Sequence, residues 1–297
     1  MRMLLISIGL AAALAGPALA AEPASSAAGS TTVRLIVMDP LAKELSCPCV
    51  QGYAQRDYLQ LARYLEKQLG APVAVSFSES LVKALKNDTD GQVDIVIGKR
   101  SVVEYDAERA GVGLRYAASL TGKDGLTTQY GLIVVRTGDQ AQSAADLAGY
   151  KIFFGPEEAE EKHAAAVALL KAGGVALPPK LETVAGCEEG ATAILEMPAG
   201  EKGAAVISSY AHPLLEGCGT VPKGAIRTVA ETGRVPFVTA FVADNLSAER
   251  REQIRAALLA VDANPELKLA LETKRGFVDE SPLAGGTATE AGAAKKK

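Results

Sequence analysis

Val33-Arg34-Leu35-Ile36-Val37-Met38, followed by Tyr58, Leu61, Ala62, Leu65 and Leu69 at spacings of three and four, is the stretch that decides the fold. The first part is a nearly continuous apolar run, as a strand buried on both faces requires. The second marks one face of a helix. The same alternation continues outward. A strand is expected over 73–77, then a helix over 79–86 capped by Ser78, a strand over 93–97 and a helix over 102–110. A second series follows, with strands over 130–135, 150–154, 181–184 and 204–207. Its helices are expected over 157–172 and 189–196, and Ser143 with Asp146 makes a capping-box-like start between the first two strands. Ser247 caps a helix running to Val261, and Asn264-Pro265 opens another.

Repeated βα alternation of this kind predicts an α/β protein with a mainly parallel sheet in each of two lobes. Ligands of such sheets sit beyond the carboxyl ends of the strands, so the loops after each strand are the ones to inspect.

The two ends of the chain read differently from its middle. Arg2, the apolar run 3–14 and Ala18-Leu19-Ala20 have the form of a secretory signal cleaved after Ala20. The run falls short of the roughly 20 residues that span a bilayer, and Gly16-Pro17 interrupts it. No cysteine lies near the cleavage point, which argues against a lipoprotein. Residues 21–31 read as a small, polar linker, and 283–297 as a tail ending in three lysines. The ordered part is expected to cover about 32–282, and an exported chain of this type is expected in the periplasm.

Composition removes several classes of function. The formal net charge is −4 and no basic cluster occurs within the middle, which excludes nucleic acid as an expected partner. Tryptophan is absent, and eight tyrosines with six phenylalanines give little for a sugar-stacking cleft. There is no G-x-S-x-G elbow, no Walker phosphate loop and no C-x-x-C-H haem attachment. No enzyme activity is expected.

Four segments in order resemble the phosphate/phosphite/phosphonate-binding proteins of ABC importers, within the type II periplasmic binding proteins. They are Tyr64-Leu65-Glu66-Lys67-Gln68-Leu69-Gly70; Gly91-Gln92-Val93-Asp94-Ile95-Val96-Ile97-Gly98; Asp146-Leu147-Ala148-Gly149-Tyr150-Lys151 leading to Phe154-Gly155 and Leu169-Leu170-Lys171-Ala172-Gly173; and Ala204-Ala205-Val206-Ile207-Ser208-Ser209-Tyr210. The resemblance implies two lobes joined by two crossing strands, a monomer that closes on a small molecule or ion and presents it to a membrane permease. It divides the chain into 32–125 with 235–282 as one lobe and 126–234 as the other.

Ligand-binding residues are then expected at Cys47, Cys49, Tyr53, Lys99, Ser101, Glu160, Glu161, His163, Glu188, Ser208, Ser209 and Tyr210. At one point the sequence departs from the family pattern. A Ser/Thr-rich stretch usually follows the Phe-Gly strand and receives an oxyanion. Here that stretch is Ala159-Glu160-Glu161-Lys162, preceded by Glu157-Glu158. Carboxylates repel phosphonate oxygens, so a simple phosphonate is not the expected ligand.

The four cysteines allow two readings. In an exported chain they suggest disulfides, with Cys187–Cys218 the natural first pair and Cys47–Cys49 a small strained ring around Pro48. Alternatively, Cys47 and Cys49 with His163 could hold zinc or copper, which would make the chain a metal-binding accessory protein.

Overall fold

The computed structural model describes residues 32–46 and 55–280. The chain runs through β1 (Val33–Met38), α1 (Tyr58–Leu69), β2 (Val73–Phe77), α2 (Leu81–Asn87), β3 (Ile95–Lys99), α3 (Arg100–Ala110) and β4 (Leu114–Leu120). A short strand, β5 (Thr128–Gln129), carries it to β6 (Gly131–Arg136), β7 (Lys151–Phe154), α4 (Ala164–Ala172), β8 (Glu182–Thr183), α5 (Cys187–Glu196), β9 (Gly203–Ser208), α6 (Ala211–Gly217) and β10 (Ile226–Glu231). The return passes through β11 (Val235–Pro236) to β12 (Val238–Ala243), α7 (Ala248–Leu259), α8 (Pro265–Ala270) and β13 (Phe277–Val278).

Two sheets result. One has six strands in the order β13-β4-β12-β3-β1-β2, the other five in the order β10-β6-β9-β7-β8. Each is flanked by helices, and β5 pairs antiparallel with β11 where the chain crosses out and back. The molecule is therefore an α/β fold of two lobes on a two-strand hinge. Parallel pairing holds for β2-β1-β3 and for β9-β7-β8, while β12, β4 and β13 in one sheet, and β6 and β10 in the other, run antiparallel. The sheets are thus mixed rather than mainly parallel. The returning β12 enters the first sheet between β3 and β4, and it has to run against both.

The apolar run of β1 is explained by two cores. Val33, Leu35 and Val37 pack with Tyr58, Leu61 and Leu65 of α1 and with Ile254, Ala257 and Leu258 of α7. Ile36 and Met38 point to the other face, against Leu81 and Leu85 of α2 and Val103 of α3. Burying each such side chain is worth roughly 1.5–3 kcal/mol. In the second lobe β9 divides in the same way, Ala205 and Ile207 facing α5 and α6, and Ala204 and Val206 facing α4.

Helix ends follow local chemistry. Asp57 accepts a hydrogen bond from the Gln60 amide to start α1, and Gly70 ends it in the left-handed conformation that a side chain would resist. The α2 helix begins two residues later than expected. Ser78 hydrogen-bonds Ser80, while Asp106 of α3 accepts from the Leu81 amide and the Ser80 hydroxyl. Ser143 and Asp146 do form a capping box, but it opens a single 3-10 turn, Ala144–Leu147. Ser247 and Asn264 cap α7 and α8 as expected.

Candidate functional site

The carboxyl ends of the central strands from both sheets meet at the cleft. Beyond β1 lies Asp39, fully buried. Its Oδ1 accepts from the Leu41 amide at 2.9 Å, and its Oδ2 from Arg56 Nη1 at 2.8 Å and the Tyr58 hydroxyl at 2.6 Å. Both carboxylate oxygens are thus used. Burial first, and the Asp39 charge next, hold the Tyr58 hydroxyl well above its ordinary pKa. A backbone bridge between Ala42 and Arg56 ties the chain just after β1 to the segment that leads into α1.

On the other side of the cleft, the chain after β7 does not enter a helix at Glu157. It makes turns through 156–163, with the Ala159 amide donating to Pro156 O and the Lys162 amide to Ala159 O, and α4 starts only at Ala164. The acidic stretch is therefore not a first helical turn stabilised by the dipole. The Gly155 amide donates to Lys162 O, and His163 Nδ1 lies 2.8 Å from Gly155 O, so both ends of the turn are fastened. Gly131 lacks a Cβ where the Glu161 carbonyl presses against β6, and any side chain there would collide with it.

These turns carry Glu161 inward to zero exposure. Its Oε1 accepts from Lys99 Nζ at 2.5 Å and from the Ser208 hydroxyl at 2.7 Å. Lys99 stands at the end of β3 in one lobe, and Ser208 at the end of β9 in the other. Glu161 Oε2 has no hydrogen-bond partner among the described residues. A second bridge runs alongside: the Ser101 hydroxyl donates to Glu158 O at 2.6 Å and accepts from the Glu160 amide at 3.3 Å. Burial lowers the Lys99 pKa although Glu161 pulls it upward. Burial also raises Glu160, with Glu104 and Glu161 adding to the effect.

Tyr210, just past β9, divides the remaining space. Its ring stacks on Phe237 with centroids 5.3 Å apart, and burial followed by the nearby Cys187 and Glu161 pushes its hydroxyl well above the usual value. On the hinge side lies a cavity of about 340 Å³ lined by Arg56, Gln129, Tyr130, Arg234, Phe237 and Tyr210, among others. Gln129 is 2% exposed, and neither amide atom finds a partner among the described residues; Arg56 Nε is likewise without one. Arg234 lies over the Tyr130 ring. On the other side a cavity of about 440 Å³ is bordered by Leu41, Leu45, Cys187, Leu214 and Cys218.

Of the residues expected to bind ligand, Lys99, Ser101, Glu160, Glu161 and Ser208 are drawn together, with Ser209 and Tyr210 beside them on the hinge cavity. Glu188 is exposed at the rim of the second cavity. His163 turns instead to Gly155 O and the Phe154 ring. Cys47, Cys49 and Tyr53 lie outside the described residues. Cys187 and Cys218 are free thiols, which overturns their expected pairing: Cys187 opens α5 and accepts from the Ser208 amide, while Cys218 caps α6 and bonds Leu215 O. Among the described residues no three His, Cys, Asp or Glu side chains gather closely enough to hold a metal; Cys47 and Cys49, expected to bind zinc or copper with His163, lie outside those residues. Arg56, Gln129, Tyr130, Arg234 and Phe237 were not expected. Their only signal is position, on or beside the two crossing strands and at the end of a loop.

A two-lobed α/β chain whose strand ends face one another across a hinge defines a type II periplasmic-binding-protein fold. The family model for the ABC transporter phosphonate periplasmic substrate-binding proteins matches residues 51–279, and the chain belongs to that family. Its members are periplasmic binding proteins that serve importers and are not enzymes. Solved structures share the fold at low identity. A phosphonate-binding protein from Prochlorococcus marinus in complex with methylphosphonate has a TM-score of 0.63 at 12% identity, covering 84% of this chain and 93% of that one. The binding component of an ABC phosphonate transporter from Pseudomonas aeruginosa gives 0.61 at 16%, covering 83% and 80%. The aliphatic sulphonate binding protein of Escherichia coli gives 0.53 at 16%, covering 81% and 77%. No functionally curated protein matches the chain. Among the described residues no helix is long and apolar enough to cross a membrane.

Proposed function

We propose that this chain carries a small organic solute in the hinge-side cavity, closes its lobes upon it, and delivers it to the membrane permease of an ABC importer. The observation that carries this reading is the polar wall of the cavity. Gln129 and Arg56 are buried there with donors and an acceptor unused among the described residues. Buried polar groups are ordinarily satisfied, so these invite a ligand with a hydrogen-bond acceptor for Arg56 Nε and Gln129 Nε2. The stacked Tyr210–Phe237 pair offers an apolar face for the rest of the molecule. A volume of about 340 Å³ suits a metabolite-sized ligand.

Export fits the same reading: the first 20 residues have the form of a cleaved signal, and the family is periplasmic. Native mass spectrometry of protein freshly isolated from the exporting cell tests it. The expected result is an extra bound mass, lost in Gln129→Leu, with a smaller radius of gyration in the loaded form. An unloaded protein that no small carboxylate, amino acid or phosphonate compacts would defeat the proposal, as would a bound mass indifferent to Gln129→Leu.

A further inference from the structure

The Lys99–Glu161–Ser208 contact has the form of an oxyanion receptor already filled. A buried ammonium and a hydroxyl from opposite lobes converge on one oxygen, Glu161 Oε1, at 2.5 and 2.7 Å. An ordinary structural ion pair would place both oxygens against donors. Here the second oxygen is fully buried and has no partner among the described residues. The pair also spans the cleft, so whatever sits between Lys99 and Ser208 governs how the lobes meet. We infer that Glu161 is a tethered anion that occupies this receptor and excludes free oxyanions from it, making Glu161 the residue that sets the charge selectivity of the cleft.

The physical basis is charge balance. Lys99 is almost wholly buried, and Glu161 is its carboxylate partner. Removing that carboxylate leaves the ammonium of the closed form without a counter-ion, an arrangement strongly disfavoured unless another anion enters or the lobes part. A tetrahedral oxyanion can supply it and accept from Ser208 as well. With Glu161 in place, an arriving anion meets a carboxylate where it needs a cation. A solute that does reach this side of Tyr210 should present a donor to Glu161 Oε2, which leaves oxyanions the disfavoured class.

The test compares wild type, Glu161→Ala, Glu161→Gln and the double variant Lys99→Met/Glu161→Ala, using sulfate and methylphosphonate as probes against chloride at matched ionic strength. Calorimetry should show either probe binding Glu161→Ala on the order of tenfold or more tighter than wild type. The same probes should raise its thermal midpoint, and Glu161→Gln should gain in the same direction by less. The double variant should lose the gain. The inference is overturned if folded Glu161→Ala binds no tighter than wild type, or if the gain survives without Lys99. If Glu161→Ala does not fold even in sulfate, Glu161→Gln decides: no gain there overturns it too. The inference rests on the cleft being the ligand site, yet its failure would leave the hinge cavity untouched, because Gln129→Leu reads a different wall.

Discussion

Two buried ion pairs sit close to the cleft, and they are built differently. Arg56–Asp39 lies within one lobe, and both oxygens of Asp39 are occupied by the Leu41 amide, Arg56 and Tyr58. Lys99–Glu161 joins the two lobes, and both of its donors share one oxygen. In the first the carboxylate is saturated, as expected of a permanent support beside Tyr58, while Arg56 keeps its Nε for the hinge cavity. The second has an unspent acceptor, and its partners stand on opposite sides of the β5–β11 crossing, so the proposed opening would separate them. Burial alone therefore does not tell a structural pair from a working one; saturation and placement do.

This contrast is best broken by deleting one partner from each pair. Arg56→Met should destabilise the chain by about 3–5 kcal/mol in urea unfolding, since it leaves the fully buried Asp39 carboxylate without its counter-ion. Gly131→Ala should cost about 1–3 kcal/mol, because the new methyl must displace the Glu161 carbonyl from β6. It should also raise the radius of gyration as the turn and its glutamate shift. Lys99→Met should cost less than either, about 1–2 kcal/mol, because parting of the lobes would hydrate the stranded Glu161 and relieve most of the penalty of breaking a buried pair. Its main signature would be a more open chain in solution scattering. Equal losses for Lys99→Met and Arg56→Met would erase the distinction between the two pairs.

Much of the fold was legible in the sequence, because its signals are local and periodic. The run Val33–Met38 reads as a doubly buried strand because odd and even residues each meet a core. The face of α1 is legible for the same reason. The strands β4 and β12 escaped notice, and with them the mixed pairing of the first sheet. The VTAFVA of β12 is wholly buried and apolar enough to have been found, but nothing local says that it inserts antiparallel beside β3.

The site divides in the same manner. Position after β7 pointed to the acidic stretch, but which glutamate turns inward depends on turns held by Gly155, Lys162 and the missing Cβ of Gly131. The hinge cavity was illegible because its wall is assembled from Arg56, Gln129 and Phe237, brought together only by the crossing of two strands of two residues each.

The smallest expected effect concerns Glu160, neighbour of the working pair. Burial first, then Glu104 and Glu161, raise its carboxyl above the ordinary 4.5. In the open form water reaches the group and returns it toward that ordinary value. A raised pKa in the closed form means that closure favours the protonated acid. The stabilisation is fully present below pH 4.5 and is lost as pH rises through the raised value of the closed form. Mild acidification into that window should therefore compact the chain slightly, as read by scattering at constant salt. Glu160→Gln, neutral at every pH, should remove the step and leave the protein as compact at neutral pH as the wild type is in acid. A step that persists in Glu160→Gln would assign the acid response to some other group, and the contrast between the two pairs would then rest on the deletions alone.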